Sequence, residues 1–376
     1  MPKIVPGVGP SDAKVLVVGE APGAEEERLG EPFVGDAGRK LDDWMSGAGG
    51  LTRADVRLEN VVGVRPPNNR LERLGVEAVR EWSEDLRRRV ARHPANVIVA
   101  VGNLAFNALR YGGEGIKPKK EKGQQVIGYR DGISKWRGSE LGVVLEGKTR
   151  KVIPTIHPAA VLRAPSWEKR CRVDWQRVGR EQASPRVVGM KFRHTTRPDL
   201  HDVEGFVDLL YAAPPEAFTY DIETYQSILC IGFARSDTPL ESFTIPTTPQ
   251  YWRDPKVHSN VWKLVRAALR SPAAKVTQNG LYDNYWLERR HGIRPTNWVW
   301  DLMGMHHTID PLEDHDLAFI SSMFAPHYLW WKEEAKEEES IRKYASDFDA
   351  LLTYNGIDCC RQIELWPLLL ERLRAV

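Results

Sequence analysis

The sequence predicts a two-domain α/β protein, a parallel-sheet α/β/α sandwich over residues 1–182 followed by a second α/β domain with a mixed sheet over residues 183–376. Three observations predict it. A length of 376 residues suits two domains that each bury a core. Short apolar strands alternate with amphipathic helical stretches through the first half, the pattern of a parallel sheet covered on both faces. The charge is divided: residues 1–200 carry 36 Lys and Arg against 25 Asp and Glu, and residues 201–376 carry 17 against 26. The first half is therefore suited to meet a polyanion and the second to hold cations; two solvated surfaces of different bias are the plainer alternative.

The elements follow in order. Lys14 to Val18 is a buried strand, and Gly19-Glu-Ala-Pro-Gly23 is its turn. Gly75 to His93 is a helix with Val76, Val79, Trp82, Leu86 and Val90 on one face and Arg87-Arg88-Arg89 on the other. Val97 to Val101 is a second strand, ending at Gly102 before a helix from Asn103, and Val152 to Ile156 is a third, ending at His157-Pro158. Strand ends of this kind are where open α/β sheets place their sites. Lys117 to Lys122, followed by Lys135-Trp136-Arg137-Gly138, reads as a phosphate-tracking loop or, equally, as solvated surface. Glu181 to Pro185 is a polar break.

Beyond it, Val187 to Phe192 reads as a strand, and Asp202 to Tyr211 as a helix with Val203, Phe206, Leu209 and Leu210 inward. Phe218 to Glu223 and Ile228 to Ala234 read as an antiparallel pair around Tyr225-Gln226-Ser227. Asp221 and Glu223 lie two apart on a strand and so aim both carboxylates one way. Side by side they repel unless a cation lies between them, and a hard divalent ion suits oxygen ligands. Asp283, Trp286 and Leu287 share one helical face, and Tyr354 and Asp358 lie one turn apart. His306, His307 and His315 stand outside these motifs without partner cysteines and read as structural. Glu333 to Glu339 reads as a solvated helix face.

Hydrophobic content of 42% and charged content of 28% are those of ordinary globular proteins. There is no run of about 18 apolar residues, and Met1-Pro2-Lys3-Ile4 opens no signal-peptide core, so neither a membrane partner nor secretion is expected. Cys171, Cys230, Cys359 and Cys360 form no disulfide framework, which fits a reducing, cytoplasmic setting.

Four loops of the first half carry a resemblance. Gly19-Glu-Ala-Pro-Gly23, Gly30-Glu-Pro-Phe-Val-Gly35 with Ala37-Gly38, Glu59-Asn60-Val61 running to Arg70, and His157-Pro-Ala-Ala-Val-Leu-Arg163 resemble, in order, the uracil-DNA glycosylase superfamily over roughly residues 10–180. The likeness is greatest to its family 4. The resemblance implies that Gly19, Phe33 and Asn60 bind a flipped uracil, Phe33 by stacking and Asn60 at the pairing edge. It implies that His157 donates a hydrogen bond to the oxyanion of the leaving base, and that Glu20 handles a water or steadies the sugar cation. Leu162 and Arg163 would be a wedge and a phosphate contact. Family 4 members hold an iron-sulfur cluster on four cysteines, one of them where Val64 stands here. With Cys171 alone in this half, no iron-sulfur cluster is expected. The domain thus resembles more closely the cluster-free glycosylase-like domains fused to some phage family A polymerases. A related branch forms a covalent adduct through a His in an inserted basic loop; Asn68 to Gly75 contains no His, and no such adduct is expected.

The acidic motifs, with Asn279-x-x-Tyr-Asp283, Trp300-Asp301 and Tyr354-x-x-x-Asp358, resemble the DEDD exonucleases of the tyrosine subclass over about residues 190–370. The match is nearest to the 3′-to-5′ proofreading domain of family A (DNA polymerase I type) polymerases, above all phage ones. That implies a ribonuclease H-like fold in which Asp221, Glu223, Asp283 and Asp358 hold two divalent ions, Mg or Mn, about 4 Å apart. Tyr354 would orient the attacking water and Asn279 would lie near the terminal nucleotide. The expected protein joins a uracil-DNA glycosylase-like domain to a 3′-to-5′ exodeoxyribonuclease for DNA repair or proofreading in a bacterial or phage-infected cell. Its expected partners are uracil-containing DNA and single-stranded or frayed 3′ ends, with three alternatives for a DNA polymerase: a separate chain, a continuation beyond Val376, or none, the exonuclease working alone. A glycosylase-like domain that only grips DNA, and a nuclease that trims RNA, stay open as alternatives.

Overall fold

Two five-residue strands, Val15–Gly19 (β1) and Val97–Val101 (β3), are buried along their whole length. Since successive side chains of a strand point to opposite faces, such strands must be apolar on both sides, and Val, Leu, Ile and Ala make them so without polar groups to satisfy. The computed structural model describes residues 3–121, 123–332 and 348–375. It divides into two units, Met1–Gly189 with His327–Trp330, and Met190–Pro326 with Trp331–Val376. The expected solvated face at Glu333 to Glu339 lies outside the described residues.

In the first unit Val56–Asn60 (β2), β1, β3 and Lys148–Thr155 (β7) are neighbours in parallel, and Leu141–Leu145 (β6) closes the edge antiparallel to β7. The expected parallel sheet therefore has one antiparallel member. β6 alternates Leu141, Val143 and Leu145 inward with Gly142 and Val144 outward, as suits an edge strand. Ile116–Glu121 (β4) and Gln124–Tyr129 (β5) form a separate hairpin. Val76–Arg92 buries Val79, Leu86 and Val90, as its apolar stripe predicts. The loop reading of Lys135 to Gly138 does not hold: Trp136 is buried, and Arg137 forms a buried ion pair with Asp174 at 2.6 Å, a carboxylate that also accepts from Thr155 Oγ1 at 2.9 Å. A buried guanidinium with a bidentate partner anchors the core and contacts no phosphate.

In the second unit the strands are Arg193–Thr195 (β8), Ala217–Tyr225 (β9), Ser227–Arg235 (β10), Glu241–Pro246 (β11), Ala274–Thr277 (β12) and Trp298–Asp301 (β13). They form a mixed sheet in the order β13-β12-β9-β10-β11-β8, with β9, β10 and β11 antiparallel and the outer pairings parallel. The expected hairpin is present, with Tyr225 opposite Ser227 and Gln226 in the left-handed region at φ 60°. Two expectations are corrected. The strand placed at Val187 to Phe192 is instead Arg193–Thr195, because Gly189 at φ 65° interrupts the extended run. In the helix Leu200–Ala212 the buried residues are Val203, Val207 and Leu210, three points on one 3.6-residue stripe, whereas Leu209 is 42% exposed. The long helix Phe348–Leu373 packs across β9, β10 and β11. Gly232 on β10 permits it: a Cβ there would lie 2.1 Å from Asn355 Oδ1 and 2.8 Å from Cys359 Sγ. All four cysteines are buried free thiols.

Candidate functional site

In the first unit the parallel strands β1, β2, β3 and β7 deliver their carboxyl ends to one rim. A pocket of about 710 Å³ opens there, lined among others by Glu20, Phe33, Asn60, Tyr129, His157 and Arg163. Gly19 ends β1 directly beneath it. A Cβ at Gly19 would fall 2.4 Å from the Phe33 ring and 2.5 Å from Asn60 Oδ1, so only glycine lets these two side chains cross the strand end. Phe33 itself holds φ 58°, costly for a non-glycine residue, and its surroundings enforce it. Arg53 donates to its carbonyl, and Glu26 accepts the amides of Val34 at 3.1 Å, Gly35 at 3.0 Å and Gly23 at 3.0 Å. Glu26 thereby ties the Gly23 turn to the Phe33 loop. Sequence reasoning passed over Glu26, although a Glu three residues after a helix-capping position is a recognisable signal. It also passed over Tyr129, which stands at the foot of the β4–β5 hairpin and carries no motif.

His157 caps the helix Pro158–Arg163, and its Nδ1 accepts the Ala159 amide at 3.2 Å. Burial, reinforced by Arg163, lowers its pKa to about 4. The ring is therefore neutral near pH 7, and with Nδ1 acting as acceptor its single proton resides on Nε2. Phe33 and His157 lie with ring centroids 6.5 Å apart and planes inclined by 27°. Burial, then Glu72, raises the Glu20 pKa while Arg163 opposes them. Leu162 is 50% exposed next to Arg163. Such a pocket offers an aromatic face, an amide, a neutral donor and a carboxylate around one planar ligand.

In the second unit Asp221 and Glu223 on β9 meet Asp358 on the helix Phe348–Leu373, with a ligand atom of each within 4.8 Å of the others. Asn355 and Gln362, one turn to either side of Asp358, grip Asp221: Asn355 Nδ2 donates to Oδ2 at 2.8 Å and Gln362 Nε2 to Oδ1 at 3.1 Å. Sequence reasoning missed both, though i−3 and i+4 from Asp358 is the spacing that shares its face. Asp283 is outside this trio, on the helix Gly280–His291; its Oδ1 accepts the Ile222 amide at 2.9 Å. Its helix is aimed by Asp301, whose carboxylate accepts Asn279 N at 3.1 Å, Gly280 N at 2.7 Å and Met303 N at 2.9 Å. Asn279 sits at φ 57° at the mouth of that helix.

The electrostatics are those of crowded, desolvated acids. Burial first, then Asp283, Glu223 and Asp358, raises the Asp221 pKa. Burial first, then Asp358, pushes Glu223 up to about 8, and burial pushes Asp283 up to about 7. Tyr354 is raised by burial and by Asp358, so its hydroxyl keeps its proton. Oxygen-only donors whose charges oppose one another fit a hard divalent cation. The three histidines form a hydrogen-bonded row instead: His315 meets His306 at 2.8 Å and His307 at 3.0 Å.

Residues 6–177 match the family described as the uracil DNA glycosylase superfamily. The chain is 37% identical over 179 residues to the type-4 uracil-DNA glycosylase of Archaeoglobus fulgidus, spanning 46% of this chain and 80% of that protein. It is 39% identical over 163 residues to the type-4 uracil-DNA glycosylase of Pyrobaculum aerophilum, spanning 43% and 74%. Among solved structures, RNase D of Escherichia coli aligns over 50% of this chain and 46% of its own, about half its length, at 15% identity and TM-score 0.36. The EXD2 exonuclease domain soaked in Mn and GMP aligns over 46% and 92% at 13% identity and TM-score 0.24. No helix among the described residues is long and apolar enough to cross a membrane.

Proposed function

Because the chain belongs, through residues 6–177, to the uracil-DNA glycosylase superfamily, we propose that its first unit excises uracil from DNA and that its second unit is a 3′-to-5′ DNA exonuclease. What supports the first activity is the gathering of Glu20, Phe33, Asn60 and His157 at one pocket. Phe33 offers its ring to a base turned out of the helix, and the Asn60 amide meets the pairing edge with a donor and an acceptor. His157, neutral with its proton on Nε2, donates to the base oxygen that gains charge as the glycosidic bond breaks. Glu20 steadies the sugar cation or holds the attacking water. Leu162 and Arg163 at the rim fill the gap in the duplex and contact its phosphate.

The nuclease reading rests on the meeting of Asp221, Glu223 and Asp358, with Asp283 fastened beside them. When bound, two divalent ions would supply charge stabilisation to the attacking hydroxide and the leaving 3′ oxygen. Asn355 and Gln362 hold Asp221 in orientation, Tyr354 orients the attacking water through its hydroxyl oxygen, and Asn279 flanks the terminal nucleotide. The substrate class is single-stranded or frayed 3′ ends of the kind a DNA polymerase leaves, and that polymerase is the partner class of this reading.

One oligonucleotide tests both halves. In chelator a uracil-bearing strand is expected to acquire alkali-labile sites; with Mg or Mn the same strand is expected to shorten from its 3′ end, and a matched RNA strand to persist. Absence of alkali-labile sites would reduce the first unit to a DNA-gripping module, and equal digestion of RNA would move the second to RNA trimming.

A further inference from the structure

A cation is part of the four-acid site itself. Lys332 Nζ lies 3.0 Å from Asp358 Oδ2, with its side chain 17% exposed. The indole Nε1–H of the preceding residue, Trp331, donates to the other oxygen, Asp358 Oδ1, at 2.6 Å. The same ammonium stands 5.6 Å from the centre of the Tyr354 ring. The ammonium thus sets a positive charge against a carboxylate of the trio Asp221, Glu223 and Asp358. Lys332 lies in none of the acidic motifs and has no part in the two-ion chemistry described above.

We propose that Lys332 is a built-in competitor for the metal at Asp358: its ammonium supplies part of the positive charge that the clustered carboxylates require, and a divalent ion must share or take over the oxygen it holds. This rests on the reading of Asp221, Glu223, Asp283 and Asp358 as a metal site. The physical argument concerns sign. An ammonium against a carboxylate stabilises the site without metal, where four like charges would otherwise face one another. It also repels an arriving divalent ion through the same low-dielectric interior, so the affinity for metal is weaker than the carboxylates alone would give. Were Lys332 only an anchor that fixes Asp358 in the right rotamer, its removal would leave metal binding unchanged or weaken it. The two roles predict opposite shifts.

The test is direct titration of Mn²⁺ into the full chain, followed by calorimetry and by the loss of the free-ion paramagnetic resonance signal. Lys332→Gln is expected to tighten Mn²⁺ binding by about tenfold or more, whereas Lys332→Arg, which keeps the charge, stays close to the wild type. Unchanged or weaker binding in Lys332→Gln overturns the proposal. If Lys332→Gln does not fold in chelator, refolding in excess Mn²⁺ is the expected rescue, and failure of Mn²⁺ to restore the fold overturns it. Should neither wild type nor Lys332→Gln take up Mn²⁺, the metal reading of the acids falls and this proposal with it. Should the wild type bind Mn²⁺ and Lys332→Gln bind it no better, this proposal falls alone.

Discussion

Asp283 Oδ1 accepts the backbone N–H of Ile222 at 2.9 Å, which fastens an acid carried by a helix to the strand residue standing between Asp221 and Glu223. One carboxylate thus closes a backbone hydrogen bond and supplies charge, and two substitutions separate these roles. Asp283→Ala leaves a buried amide unpaired and is expected to lose about 1–3 kcal/mol of stability. Asp283→Asn keeps an acceptor oxygen, and because burial holds the Asp283 pKa high, it is expected to be at least as stable as the wild type in chelator. Both variants are expected to lose nuclease rate by about 10²–10³-fold. Thermal unfolding alongside 3′-end digestion checks the pair; full nuclease activity in Asp283→Asn would remove Asp283 from the ligand set.

The raised carboxylates make stability depend on pH and metal with a definite sign. A carboxyl whose folded pKa stands above its unfolded value of about 4 holds its proton more tightly when folded, so its contribution is lost as pH rises toward the folded value. Those values are about 7 for Asp283 and about 8 for Glu223, with Asp221 also raised. Metal-free protein is therefore expected to lose stability in its second unit between about pH 5 and pH 8. A divalent ion competes with protons for the same oxygens, so the rise in unfolding temperature produced by saturating Mn²⁺ is expected to grow over that interval. An equal rise at both ends would contradict it.

Much of this site was legible because its chemistry sits on regular periods. Asp221 and Glu223 are two apart on a strand, Tyr354 and Asp358 four apart on a helix, and in each case the backbone alone sets the direction. Gly19 and Asn279 entered through the family resemblances and not through periodicity; in the structure Gly19 ends β1 and Asn279 precedes its helix at φ 57°. What stayed hidden depended on distance across the fold. Lys332 and Trp331 reach Asp358 from a segment with no pattern of its own, and Arg137 looked like surface charge until Asp174 met it 37 residues away. Strand β2, Val56 to Asn60, alternates Val and Leu with Arg and Glu like a half-exposed strand; Arg57 and Arg89 pairing with Glu59 explain why Glu59 can be buried there. Arg57 shares its strand face with Glu59, but no spacing rule encodes the pairing of Arg89 with Glu59 from 30 residues away.

If the first-unit pocket releases uracil as proposed, it is expected to show its acid limb through Glu20 and not through His157. His157 is already neutral above about pH 4, and its Nε2 proton is retained through the neutral range. Glu20 has its pKa raised above the ordinary carboxylate value by burial, so its anionic form is lost first as pH falls. Single-turnover uracil release is expected to rise with pH across a limb above the ordinary carboxylate range and then level off. Glu20→Gln is expected to be slower by about 10²–10⁴-fold and to lack that limb. His157→Ala is expected to be slow at every pH with the limb preserved. A limb that survives Glu20→Gln would assign it elsewhere.

The β4–β5 hairpin links charge to that pocket. Lys117, Lys119 and Lys120 on β4 are exposed, and the paired strand β5 ends at Tyr129, which lines the pocket wall. Of the three, Lys119 also pairs with Glu121 on the same strand. On the reading proposed above, this ribbon of ammonium groups would follow the phosphates flanking a flipped nucleotide, and phosphate contacts announce themselves through salt. Replacing the three lysines by Gln is expected to weaken duplex binding and to flatten the plot of log affinity against log salt by about 0.9 for each phosphate no longer neutralised. Uracil release at saturating DNA is expected to change little, since none of the three lines the pocket. Fluorescence anisotropy across a salt series measures the slope, and an unchanged slope would mean that the hairpin meets solvent and not DNA.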